Sequence, residues 1–140
     1  MQNSLKLVTV MNSDELKDTV KVVRNWLAEA RDNVLRKIDS RLKVDTKSGR
    51  SDLVTNIDRA NEQFFVSKIR QFDPEAKILG EEGFGDQVDN TDGRIWIVDP
   101  IDGTMNFVKQ RNHFAMMISL YIDGQGVLGF IMDVINNELL

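Results

Sequence analysis

From Asn12 onward, apolar residues recur at spacings of three and four: Leu16, Val20, Val23, Leu27, Ala30, Val34 and Ile38. That period predicts a long amphipathic helix. Asn12 is suited to cap it, and Glu15 is placed to reach back to the cap's own amide, while Arg36 and Lys37 complement a negative C-terminal end. The polar stretch from Asp39 to Asp52 then reads as a connection and as the first candidate for a mobile loop. A second helix is expected from near Thr55 to just before Asp73-Pro74, with Ile57, Ala60, Phe64, Phe65, Ile69 and Phe72 as its buried stripe.

Beyond that point the period shortens. Apolar runs at Lys77 to Leu79, Arg94 to Val98, Ala115 to Ile122 and Val127 to Met132 are bounded by Gly, Asp and Asn, as strands are. Asp92-Gly93 and Asp123-Gly124-Gln125-Gly126 supply turns, and Asn136-Asn137 opens into a further strand at Glu138-Leu139-Leu140. Trp26, Trp96, Met116 and Met117 fall on apolar stripes and are expected in the core. The sum is an α+β fold, with two long helices packed on a largely antiparallel sheet whose strands are joined mostly by hairpin-like links. No internal repeat or domain linker is visible.

Composition narrows the class. A chain of 140 residues, 41% hydrophobic and 29% charged with only two prolines, has the make-up of a globular domain with one core. It contains no apolar run of transmembrane length and no signal-like start, so a cytoplasmic location and no membrane partner are expected. The absence of cysteine excludes thiolate metal sites and thiol catalysis, which shifts any metal chemistry towards oxygen ligands. A net charge of -4 argues against a nucleic-acid surface and conflicts with an anionic substrate unless a bound cation intervenes.

Three acidic clusters stand at the ends of predicted elements: Asp58 in the first turn of the second helix, Glu81-Glu82 after one strand, and Asp99 with Asp102 after another. Asp99 closes the run Ile95 to Val98, so its carboxylate emerges at the edge of the core, and Pro100 is expected to fix a turn that returns Asp102 beside it. Two carboxylates held together require either a shared proton or a divalent cation. Gly103 and Thr104 add backbone amides and a hydroxyl, a small nest for phosphate oxygens, and Asn106-Phe107 can open a helical turn there. Each feature also has a plainer reading. Asp-Pro and Asp-Gly are common turn dipeptides, Glu81-Glu82 suits a solvated loop, and Thr55-x-x-Asp58 fits a capping box. His113 is not expected to bind a cation that prefers oxygen, and Lys109 to Arg111 reads as a solvated turn.

In combination, Asp52-Leu53-Val54-Thr55-x-x-Asp58, Gly80-Glu81-Glu82-Gly83 and Trp96-Ile97-Val98-Asp99-Pro100-Ile101-Asp102-Gly103-Thr104-Met105-Asn106-Phe107 resemble the inositol monophosphatase family. That family lies within the wider group that includes fructose-1,6-bisphosphatases and bisphosphate nucleotidases. The resemblance implies the N-terminal α+β domain of that fold over residues 1–140, with the C-terminal domain outside this chain. It implies Mg²⁺-dependent hydrolysis of a polyol or sugar phosphate monoester, inositol phosphate being the name-giving substrate, with two or three ions in the complete enzyme. Glu81, Asp99 and the carbonyl of Ile101 would bind the first ion, and Asp99 with Asp102 the second. Asp58 and Thr104 would activate the attacking water, Asp102, Gly103 and Thr104 would hold the phosphate, and Lys47 and Ser48 would belong to a loop that closes over the site. The resemblance implies a catalytic role for Asp58 over a cap, and a homodimer is the family expectation. Met105 and Asn112 depart from the usual threonine and proline. Family members run to nearly twice this length, and their second half supplies a further metal-binding aspartate. The alternatives are a non-catalytic cation-binding or interaction module and, within the phosphatases, a nucleotide or fructose bisphosphatase.

Overall fold

The structure, a computed structural model, describes residues 11–44, 50–102 and 115–140, with side chains over 11–38, 56–99 and 115–140. The first apolar stripe folds as helix α1, Ser13–Val44. Asn12 caps it: its Oδ1 accepts the Glu15 N–H at 2.8 Å and its carbonyl accepts the Leu16 N–H at 2.9 Å. The Glu15 carboxylate does not return to the cap and instead lies 3.3 Å from Arg94 Nη1. Val23, Leu27, Ala30, Val34 and Ile38 are all buried. The expected connection at Asp39 is overturned over its first residues, because α1 runs on to Val44 and Arg36 and Lys37 therefore precede its last turn. No glycine or proline stands between Asp39 and Val44, so nothing in that stretch stops a helix already held by its buried stripe.

Helix α2 spans Arg50–Phe72 and starts earlier than Thr55. Asp58 consequently sits in the helix interior, and neither the capping box nor the first-turn placement applies to it. The acid near the helix start is Asp52. Ile57, Phe65 and Ile69 are buried as expected, whereas Phe72 at the end is 36% exposed. The helix closes where Asp73 precedes Pro74, with the Asp73 N–H donating to the Ile69 carbonyl at 2.7 Å.

Five strands follow: β1 Lys77–Leu79, β2 Arg94–Asp102, β3 Ala115–Ile122, β4 Gln125–Asp133 and β5 Glu138–Leu139. They lie side by side in chain order. Three of the pairings are antiparallel, but β1 and β2 run parallel, so residues 80–93 form a crossover and not the hairpin-like link expected. The β3–β4 hairpin turns at Asp123 and Gly124, both with positive φ (49° and 81°), which matches the right-handed twist of the strands it joins.

Both helices pack against one face of this sheet. Met116, Ile118, Leu120 and Ile122 alternate inward along β3, and Trp96 and Val98 do so along β2, to meet Leu27, Ile57, Phe65 and Ile69. Trp26 bridges the layers, 5.6 Å from the Phe72 ring and 6.0 Å from Trp96. Asp73 Oδ2 accepts hydrogen bonds from Arg94 Nε at 2.8 Å and from Trp96 Nε1 at 3.0 Å, which ties the end of α2 to β2. Met117 is not in this core: by the two-residue alternation of the strand it lies on the opposite face, half-buried.

Candidate functional site

The parallel pairing decides where the acidic residues meet. Leu79 stands opposite Ile97 in the register, so both strands point their carboxyl ends the same way. Glu81 lies two residues beyond Leu79, and Asp99 lies two residues beyond Ile97. Both line one open concavity of about 600 Å³, together with Met117, Ser119 and Phe130. The carboxyl ends of parallel strands are where sites in such sheets form.

The loop carrying Glu81 is held from behind. Glu62, on α2, is fully buried. Its Oε1 accepts the N–H of Glu81 at 2.6 Å and of Glu82 at 3.0 Å, and its Oε2 accepts Glu82 N–H and Phe84 N–H, each at 3.1 Å. A β-carbon at Gly80 would overlap this carboxylate, which is the physical reason for glycine there. At the base of the loop, Asp86 Oδ2 accepts the Ile78 N–H at 2.9 Å, the Asp86 N–H donates to the Ile78 carbonyl at 2.7 Å, and Arg70 pairs with Asp86 Oδ1 at 2.9 Å. The hydrogen bond from Arg70 holds the Asp86 carboxyl below its ordinary value, and partial burial opposes it.

The end of β2 is arranged differently from the expected turn. Asp99 pairs with Met117 and Asp102 with Ala115, so three steps on β2 match two on β3. Asp99 to Asp102 is therefore a β-bulge within a continuing strand. Proline cannot donate to the ladder, and a bulge is a place in a sheet that accepts it. Asp99 is half-buried at this edge, and Glu81 is exposed.

The structure thus brings Glu81 and Asp99 to one concavity. Asp58 is half-buried on α2, one turn before Glu62 on the same helix face, and is not among the residues lining that concavity. Ile101 and Asp102 are placed by their backbone alone, and Lys47, Ser48, Gly103 and Thr104, with Met105, Asn106, Phe107, Lys109, Arg111, Asn112 and His113, lie outside the described residues. Among the described residues no three acidic or histidine side chains gather closely enough to hold an ion. Two carboxylates on one open concavity nevertheless match the donor chemistry of Mg²⁺, which takes one or two protein carboxylates and keeps several waters.

Glu62 escaped the sequence reading although its position carried a signal. It falls three residues before Phe65 and seven before Ile69, in phase with the buried stripe, and a carboxylate there needs dedicated partners.

A sequence profile of the inositol monophosphatase family matches residues 15–140. An inositol-1-monophosphatase of Bacillus subtilis is 44% identical over 118 residues, covering 84% of this chain and 44% of that protein. The solved inositol monophosphatase II from Staphylococcus aureus superposes with a TM-score of 0.77 at 38% identity, over 87% of this chain and 44% of its own. A solved IMPase/NADP phosphatase complexed with NADP and Ca²⁺ superposes with a TM-score of 0.74 at 29% identity, over 89% of this chain and 46% of that one. The chain spans less than half the length of each of these proteins.

Proposed function

The chain belongs to the inositol monophosphatase family, and from this we propose that it forms the N-terminal, metal-binding part of a Mg²⁺-dependent phosphatase acting on a polyol or sugar phosphate monoester. The observation that carries the proposal is the meeting of Glu81 and Asp99 at the carboxyl ends of two adjacent parallel strands, on one open concavity. The concavity is wide enough to admit a small phosphorylated ligand.

Glu81 and Asp99, with the Ile101 carbonyl and Asp102, are the oxygen donors for the cations. When bound, Mg²⁺ neutralises phosphate charge and makes water a nucleophile near neutral pH. Asp58 with Thr104 orients the attacking water and accepts its proton, Asp102 and the amides of Gly103 and Thr104 hold the phosphate oxygens, and Lys47 and Ser48 close over them. The water oxygen forms a bond to phosphorus as the ester P–O bond breaks, and the departing alkoxide takes a proton from solvent water to leave as the free alcohol. The same reading carries a cytoplasmic homodimer. No helix among the described residues is long and apolar enough to cross a membrane.

The test is phosphate release from inositol 1-phosphate by the intact protein, with and without Mg²⁺. We expect release only with the cation, and Asp99→Asn is expected to lower kcat/KM by orders of magnitude while folding persists. Near-normal turnover of the variant would remove the site assignment, and no release from any phosphate monoester would favour a non-catalytic cation-binding module. The NADP-bound neighbour supports a second reading, a nucleotide phosphomonoester substrate. Comparing kcat/KM for NADP and for inositol 1-phosphate separates the two.

A further inference from the structure

Glu62 is a buried carboxylate on α2, and among the described residues no basic side chain pairs with it. What satisfies it is the backbone of a single loop, through the amides of Glu81, Glu82 and Phe84. Hydrogen bonds to a charged acceptor are roughly twice as strong as neutral ones, and breaking them here would strand a carboxylate inside the protein. The loop is therefore held to the helix at three amides, and the missing side chain of Gly80 lets the carboxylate approach.

The consequence lies on the other side of the loop. With its N–H committed to Glu62, the Glu81 peptide is fixed while its side chain lines the concavity shared with Asp99. Burying one negative charge behind two more also keeps the region attractive to a cation. We propose that Glu62 is a positioning residue for cation binding, acting through the Glu81, Glu82 and Phe84 amides to present Glu81 to the ion, with Gly80 as the contact that allows it. This rests on the metal reading given above, and a purely structural clamp is the competing account.

The two accounts differ in what responds to mutation. Glu62→Gln keeps the shape and one acceptor but sets an NH₂ group against the loop amides. Gly80→Ala leaves the carboxylate intact and displaces it. In the intact protein, metal-free amide exchange at Glu81, Glu82 and Phe84, Mg²⁺ affinity by calorimetry, and Tm are measured for wild type, both single variants and the double variant. We expect slow exchange at the three amides in wild type and faster exchange in each variant. Mg²⁺ affinity is expected to fall about 10- to 100-fold, as for other residues that orient a metal ligand. The double variant should be no worse than about the poorer single one, because both act on one contact. In turnover assays the loss should fall on the Mg²⁺ requirement more than on kcat at saturating cation.

A lowered Tm with unchanged Mg²⁺ affinity in the variants would overturn the positioning role and leave a structural clamp. If Glu62→Gln does not fold, Gly80→Ala decides alone, and rapid exchange at the three amides in wild type overturns the role without any variant. Wild type that shows protected amides yet binds no Mg²⁺ would overturn the metal reading itself, and the positioning role with it.

Discussion

The loop of residues 80–86 and the bulge at Asp99 to Asp102 end two adjacent parallel strands, yet they are held by different means. The loop hangs on side chains: Glu62 grips its amides, and Asp86 with Arg70 closes its base. The bulge is held by backbone, since β2 stays paired to β3 on either side of it, at Asp99 and at Asp102. One carboxylate is therefore presented by a structure that single side-chain changes can release, and the other by a ladder that they cannot. The loop should be the more easily perturbed end, and the bulge the more rigid.

The largest expected effect would break both ends together. Trp96 is fully buried in β2, the strand next to β1 and the one that carries the bulge. Trp96→Ala is expected to cost about 3–5 kcal/mol in denaturant unfolding, with exchange rising in β1, β2 and β3 alike. A loss confined to one strand would contradict the shared support.

Asp73→Ala comes next, because it leaves Trp96 Nε1 and Arg94 Nε without their common acceptor. About 1–3 kcal/mol is expected from the same measurement. It acts at the entry of β2, far along the strand from the bulge, so the loop amides should keep their protection.

Asp86→Asn sharpens the comparison, since it loosens only the base of the loop. The Arg70–Asp86 pair is partly exposed, so no more than about 1 kcal/mol is expected. Because the Asp86 pKa is lowered in the folded protein, its stabilisation is present above the unfolded value of 3.8 and is lost as pH falls through the lower folded value. Wild type and variant should therefore begin to converge in stability as pH falls below about 4 and meet only once it has passed the lower folded value, as followed by acid-dependent unfolding. A difference that persisted there would mean that the Asp86 charge is not what matters. The smallest effect is expected for Glu15→Ala, a few tenths of a kcal/mol, because its contact with Arg94 is solvent-screened.

Much of this architecture was legible in the residues. Heptad-like spacing from Leu16 to Ile38 located α1, Asp73-Pro74 ended α2 where expected, and Asp123-Gly124 made the predicted hairpin turn. Helix starts and ends were less legible where polar residues continue a helix without a breaker, as at Asp39 to Val44 and at Arg50 to Val54. Once α2 begins at Arg50, the apparent capping box at Thr55 and Asp58 loses its meaning. The same holds for Pro100, whose missing N–H is equally compatible with a turn and with a bulge.

The sequence by itself determined the periods, the breakers and the identity of the acidic residues, because these depend on local spacing and on the chemistry of each side chain. Only the tertiary structure decided that β1 runs parallel to β2, which brings Glu81 and Asp99 to the same sheet end. Strand direction depends on how a chain of intervening residues crosses over, and that is a non-local property. The tertiary structure also decided what Glu62 does. In the sequence it is one charged residue of a helix, and its role appears only when the loop beyond β1 folds back to surround it with amides.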